Sequence, residues 1–522
     1  MLVFGLGLQL QAQDVQWQKK MGGKNADYLY DAIPTLDYGF IMVGGTQSNQ
    51  SGNVKKNAGS FDFFITKVSE KGDLLWTKTL GGKQADIARC IVNSLDGGFL
   101  LAGISSSDIS YSKTCEHIGQ RDIWLVKYDI NGSIIWQKTL GGYAVEQISQ
   151  VIRTTDGGFL IAGSSASNEF IPTGVNMSSP NLVIKQGDNY GSMDYWLVKI
   201  NAEGEMQWQK TFGGKYKDIL KQVVELPNQD IILAGSSNSP KSGNKTTNAN
   251  GRNDWWLVKI NETGDLLWQK SYGTDAEEKL STMLVTKDDH ILLGGNYVVT
   301  NGETKKRQAD IKLLKINFEG DIIWKETYDN GGDDFLTNIV QNSDGTLVLG
   351  AYTGSHAQSK FKLATASKGM EDYLIIKTKA NGEEKWRRSL GTKKKEVLRK
   401  VIETRDGGYA LLGSSVSMSS IGEGDADFLI IKIGDKDKPK HPKLPLEAVP
   451  NPAVDYTQAV IGKEYENGQV KVVDLNGKII EQFEINGERI IPIHLANYKM
   501  GIYIINVTAD KMKNSVKVIK GH

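Results

Sequence analysis

A chain of 522 residues exceeds what one ordinary core takes, so several domains or one large repeat structure are expected. Its 62 basic and 61 acidic side chains nearly cancel and form no long basic block, which argues against nucleic acid as a partner. The 57 glycines are too dispersed for collagen, and two cysteines, Cys90 and Cys115, make no disulfide framework; export would allow them to pair, but free thiols are the favoured reading, with Cys90 a small core residue.

Residues 1–13, MLVFGLGLQLQAQ, are apolar, too short to span a bilayer, and end in small and polar residues. They read as the back half of a secretory signal peptide without its basic start. No stretch reads as a transmembrane segment.

From Asp14 the chain repeats. The clearest copy, DYWLVKINAEGEMQWQKTFGG at 194–214, is a β-branched and aromatic run, a turn at Gly204 and a second run around Trp208, which is a hairpin. The Trp recurs at Trp17, Trp76, Trp136, Trp208, Trp268, Trp324 and Trp386, at spacings of 56 to 72 residues. The Asp opening the hairpin recurs at Asp62, Asp122, Asp194, Asp254, Asp310, Asp372 and Asp427. Self-similarity at this period indicates units whose apolar faces only their neighbours can cover.

Each unit reads as four strands; in the third they are 148–154, 159–165 after the turn at Asp156-Gly157-Gly158, 195–200 and 205–211. The first Trp strand, 14–20, lacks a preceding Asp-led strand, and the last Asp-led strand, 427–433, lacks a following Trp strand. The two complete each other. The expected fold is all-β: a seven-bladed β-propeller over 14–433, closed by its N-terminal strand, with no large unpaired edge.

The pattern W-x-K-x-x-G-G, D-G-G-[FY]-x-x-x-G-S-S and D-x-W-L-V-K-x-x-x-x-G-x-x-x-W resembles the bacterial seven-bladed β-propeller repeat family. The fifth and sixth copies depart from it, with DDH at 288–290 for DGG and IKLLK at 311–315 for the aromatic form. ETGDLLWQK at 262–270 is similar to the repeat of pyrroloquinoline-quinone enzymes, but no cofactor-contacting residues are identifiable, and no cofactor is expected.

The repeated residues have structural readings. A Trp in each outer strand packs between adjacent sheets, where truncation to Ala costs ~3–5 kcal/mol. The repeated Asp caps a turn or accepts backbone N–H bonds, because one carboxylate per unit does not converge the several oxygens a metal needs. The piece Asp129-Ile130-Asn131-Gly132 lacks the later ligands of a calcium loop and reads as a hairpin turn.

Links between second and third strands are long and polar, at 48–60, 104–120, 166–193, 236–252, 296–308, 353–370 and 414–425. In a four-strand meander they emerge on one face, the candidate binding surface. Tyr111, His117, Phe170, Tyr190, Tyr352, His356 and Phe361 lie in them and are candidates for stacking on sugars or peptides.

Residues 434–446, GDKDKPKHPKLPL, read as a tether, and 447–522 as a small Ig-like β-sandwich with a turn at Asn476-Gly477. This last segment resembles the type A C-terminal sorting domain of type IX secretion in Bacteroidetes. The resemblance lies in Pro450-Asn451-Pro452, the turn from Asp474 to Gly477, the strand start Gly501-Ile502-Tyr503, and Lys517 and Lys520 in the last strand. It implies passage across the outer membrane, removal of the domain by a sortase-like protease, and release or attachment to the cell surface.

HExxH, GxSxG, Walker A and CxxC motifs are missing, and none of the six histidines makes a metal-type pair, so no catalytic or metal site is assigned. Three functions stay open. The leading one is a monomeric, non-catalytic secreted or surface binding protein for a polysaccharide or protein. The others are an extracellular carbohydrate-active hydrolase or lyase, and a structural envelope component. Carboxylates, or His with Arg or Tyr, converging on the central channel favour the enzyme; an uncharged channel with aromatics on the long-link face favours binding.

Overall fold

A computed structural model of the chain describes residues 14–521 apart from 170–173, 177, 301–306, 355–369, 418–425, 438–442 and 511. Among the described residues every regular element is a β-strand. No described helix is long and apolar enough to cross a membrane.

The third unit shows why these sequences make these strands. Its second and third strands, Phe159–Ser165 and Asp194–Ile200, are buried along their whole length, so they are continuous apolar runs and not alternating ones. Its first strand, Glu146–Arg153, alternates, and its fourth, Met206–Phe212, is half exposed. All four pair antiparallel in chain order.

The same order recurs in the sheets that begin at Asp27, Asp86, Asp218, Glu277 and Asp334. Lys395–Glu403, Tyr409–Val416 and Ala426–Ile433 follow the same order, with Val15–Met21, from the other end of the sequence, as the fourth strand; a parallel bridge between Glu371 and Lys395 joins this group to the strands that begin at Asp334 in one eight-stranded sheet. None of the sheets closes on itself as a barrel.

First strands of successive sheets contact one another in order, and Lys395–Glu403 contacts Asp27–Pro34. That last seam is packed. Trp17, Met21 and Phe64 join Leu412, Phe428 and Ile430 in one cluster, Ser414 Oγ accepts from Leu29 N at 3.0 Å, and Lys400 pairs with Asp31.

Six of the seven turns between first and second strands are locked by an ion pair; in the sixth unit the equivalent Lys377 pairs with Asp435 instead. In the third unit Lys199 Nζ lies 2.7 Å from Asp156 Oδ2, and Gly157 takes the positive φ the turn needs. The pair recurs as Lys67–Asp37, Lys127–Asp96, Lys259–Asp230, Lys315–Asp288 and Lys432–Asp406, at 2.6 to 2.9 Å. The divergent DDH copy keeps this turn, with Asp289 at φ 55° in the glycine position.

Two links differ from the expected loops. Within 166–193, Leu182–Ile184 adds as a parallel strand to Ile134–Gly141 of the preceding sheet. In the fifth unit, the β-branched run Val298-Val299-Thr300 extends the second strand to Thr300, where it pairs with a third strand beginning at Arg307. Cys90 and Cys115 are buried and unbonded to each other.

The C-terminal segment packs a three-stranded sheet, Leu446–Val449, Tyr456–Ile461 and Ile490–His494, against a four-stranded one built from Gly468–Asp474, Ile479–Ile485, Gly501–Ala509 and Met512–Lys520. It meets the repeats on their short-turn side. Arg405 donates to Glu447 at 2.8 Å, Lys71 lies 2.8 Å from Glu464, and the Arg405 guanidinium lies 4.5 Å from the Tyr38 ring centroid.

Candidate functional site

Every first strand carries a one-residue bulge at the same place, two residues after its opening segment. The unpaired residues are Tyr30, Arg89, Ser149, Lys221, Ser281, Thr337 and Arg399, and all seven line a single cavity of about 1150 Å³. The bulge re-aims each of them into this space and leaves the apolar residue before it in the core.

Three of the seven are cations. Arg89 lies over the Tyr30 ring at 3.8 Å to the centroid, and Arg399 lies over the same ring at 5.3 Å. Burial lowers the Lys221 pKa, and the Arg399 and Arg89 charges lower it further. Burial also lowers that of Arg89; Tyr30 opposes the shift and Arg399 adds to it.

The acids lining the cavity are already matched. Asp31 pairs with Lys400, and Glu277 with Lys279 at 2.9 Å. Among the described residues, Arg89, Lys221 and Arg399 make no ion pair. Arg121 and Arg153 add further positive charge to the lining. The cavity offers donors and cations around one aromatic ring, an arrangement suited to an anion.

Of the candidates expected in the links, Tyr352 lies instead in the strand Leu347–Gly354 and lines this cavity, stacked on Phe335 with centroids 5.1 Å apart. Tyr111 and Tyr190 are exposed away from it, and His117 Nδ1 is turned 2.7 Å from Asp122 Oδ2. Phe170, His356 and Phe361 lie outside the described residues. The aromatic cluster expected on the link face is therefore not assembled by the described residues.

Each repeated Trp is half-buried against the cluster between its own sheet and a neighbour. Trp17, Trp136, Trp208 and Trp324 lie under the hairpin-turn glycines Gly72, Gly204, Gly264 and Gly382 of the following sheet, where any Cβ would strike the indole.

The repeated Asp has a partner that counting one carboxylate per unit misses. Asp62 faces Asp86, Asp122 faces Glu146, Asp194 faces Asp218, Asp254 faces Glu278 and Asp310 faces Asp334, each second acid opening the next sheet. In Asp62, Asp122, Asp194 and Asp254 one oxygen accepts a backbone N–H from four residues upstream. The other oxygen is buried without a hydrogen-bond partner. Burial, with the facing acid adding to it, pushes Asp62 and Asp194 up to about 6 and Glu146 to about 7.

The signal for both features was in the sequence. The second acid follows the first by 24 residues at every junction from Asp62–Asp86 to Asp372–Glu396, and the lumen residue follows the second acid by three.

Residues 448–521 match the family described as the secretion system C-terminal sorting domain. The C-terminal domain is a sorting domain. It marks the protein for secretion or attachment to the cell surface.

Over 327 residues the chain is 20% identical to the regulatory protein FlaEY of Caulobacter vibrioides, which covers 59% of this chain. The chain spans about a third of the length of that curated relative, 33%. Among solved structures it is similar to the polysaccharide lyase family PL25 ulvan lyase (9% identity, 78% of this chain, 95% of that one, TM-score 0.47). It is also similar to the GH93 α-L-arabinofuranosidase of Fusarium graminearum (10% identity, 66% and 92%, TM-score 0.38).

Proposed function

We propose that residues 14–433 form a seven-bladed β-propeller whose ring is closed by the strand Val15–Met21, and that this exported propeller binds an anionic ligand in its axial channel. The observation that carries the reading is the convergence of Arg89 and Arg399 on Tyr30, with Lys221 in the same cavity, at equivalent bulge positions of three first strands. Like charges held together in one cavity repel, and a carboxylate or sulfate among them relieves that repulsion.

The lining is charged, unlike the uncharged channel expected of a binding protein, yet a binding role accounts for the site better than acid–base catalysis. The two lining acids are held in ion pairs with lysines, and no histidine lies in the lining. An oligosaccharide bearing carboxylate or sulfate groups fits both parts of the site, with the cations on its charges and the Tyr30 ring and the Phe335–Tyr352 stack along its apolar faces. The ligand enters from the long-link side, opposite the sorting domain.

Affinity electrophoresis of the full-length protein through gels holding polygalacturonate, dextran sulfate or neutral dextran tests this. Retardation by an anionic polymer and not by neutral dextran is expected, and it disappears in Arg89→Gln/Lys221→Gln/Arg399→Gln. Equal mobility in all gels, or retention unchanged by the triple substitution, refutes the reading.

A further inference from the structure

One junction between sheets is built differently from the rest. At six junctions a glycine at or just past the end of the fourth strand, Gly22, Gly81, Gly141, Gly213, Gly273 or Gly391, lies directly against the repeated Asp. A Cβ at any of these positions would collide with that carboxylate's Oδ1, so glycine is the residue that fits. Between the fifth and sixth sheets the equivalent residue is Asp329, in Asp329-Asn330-Gly331-Gly332-Asp333-Asp334. A third carboxylate therefore stands where the other junctions have room only for a hydrogen.

We propose that Asp310, Asp329 and Asp334 bind a divalent cation, Ca²⁺ by their chemistry. One ligand oxygen from each lies within 4.8 Å of the others. Asp334 is fully buried, and its Oδ1 has no hydrogen-bond partner. Its other oxygen accepts from Asn330 N at 2.7 Å, which holds the carboxylate in place. The Gln308 amide donates to Asp310 at 2.8 Å and to Asp329 at 2.9 Å.

Among the described residues the neighbouring cation, Arg387, forms no ion pair with the three carboxylates. It pairs with Glu384 at 2.5 Å and donates to the backbone oxygen of Asp329 and to Asn330 Oδ1, while its charge also acts on Asp334 and Asp329. Three hard oxygen donors with no nitrogen or sulfur select calcium-type ions, and an open, partly exposed Asp329 leaves room for water to complete the shell.

The test is calorimetric titration of EDTA-treated full-length protein with CaCl₂, alongside thermal unfolding with and without Ca²⁺. Wild type binds one equivalent and its unfolding midpoint rises with Ca²⁺. Asp329→Gly, which restores the residue of the other junctions, weakens binding by at least about tenfold, removes the Ca²⁺-dependent rise and unfolds at a higher temperature in EDTA. Asp329→Asn retains the side-chain volume and loses binding likewise. No heat of binding in wild type at millimolar Ca²⁺, or equal binding in wild type and both variants, overturns the proposal.

Discussion

The Arg89 guanidinium lies over the Tyr30 ring, 3.8 Å from its centroid, although the two residues belong to different sheets. The contact sets a second cation, Arg399, and a third, Lys221, facing the same space. With no anion bound, this arrangement is held against its own repulsion. Replacing all three cations with glutamine should therefore raise the unfolding midpoint of the ligand-free protein while removing anion binding. A midpoint that falls, read by differential scanning calorimetry, would place the three side chains in a purely structural role.

Lys199 is buried and its ammonium is satisfied by Asp156, by Gln207 Oε1 at 2.8 Å and by the Ile200 carbonyl. Asp156→Ala leaves that charge without its counterion and should cost about 2–4 kcal/mol in denaturant unfolding. Adding Lys199→Met should recover much of the loss, because an apolar pair can replace a buried ionic one. A single substitution within about 0.5 kcal/mol of wild type contradicts this view of the turn.

The closing seam makes a prediction of its own. Trp17 donates to the Glu70 carbonyl at 3.0 Å and packs under Gly72, so it joins the opening strand to the first complete sheet. Trp17→Ala should destabilise by about 3 kcal/mol. Removing residues 1–21 should do more, leaving the edge of Ala426–Ile433 unpaired and producing aggregation in size-exclusion chromatography. A monodisperse truncated protein with an unchanged midpoint would break the closure argument.

The acid pairs set the pH dependence. Burial raises Asp62 and Asp194 to about 6 and Glu146 to about 7, so each binds its proton more tightly folded than unfolded. Their contribution is complete below the unfolded values, about pH 4, and is lost as pH rises through about 6 to 7. Asp96, Asp156 and Asp406 act in the opposite sense. Burial opposes the shift, yet hydrogen bonds from Lys127, Lys199 and Lys432 hold them below the usual carboxylate range, and their contribution is lost as pH falls. The unfolding midpoint should peak near about pH 5 and decline towards about pH 8. A steady climb over that interval would show that the facing acids are ionised at no cost.

The sequence made the architecture legible because its markers are local. Trp208, Gly204 and Asp194 each act within one hairpin, so a single copy reveals the strands and comparison of copies reveals the period. The site was not legible in that way. Arg89, Lys221 and Arg399 sit in strands that look ordinary until a bulge turns them inward, and their neighbours in space lie scores of residues away. The facing acids follow a constant offset, but only the packing of one sheet on the next shows that the offset brings two carboxylates together. Of the aromatic candidates, Tyr352 is the described one that reaches the cavity, since exposure in a loop carries no information about convergence.

Isothermal titration of the full-length protein with an oligogalacturonate, at low and high salt, tests the central claim most directly. Wild type should bind with an affinity that falls as salt rises, and each of Arg89→Gln, Lys221→Gln and Arg399→Gln should weaken binding by about tenfold. Binding that ignores both salt and these substitutions, or its absence for every carboxylated and sulfated oligosaccharide tried, would contradict the account.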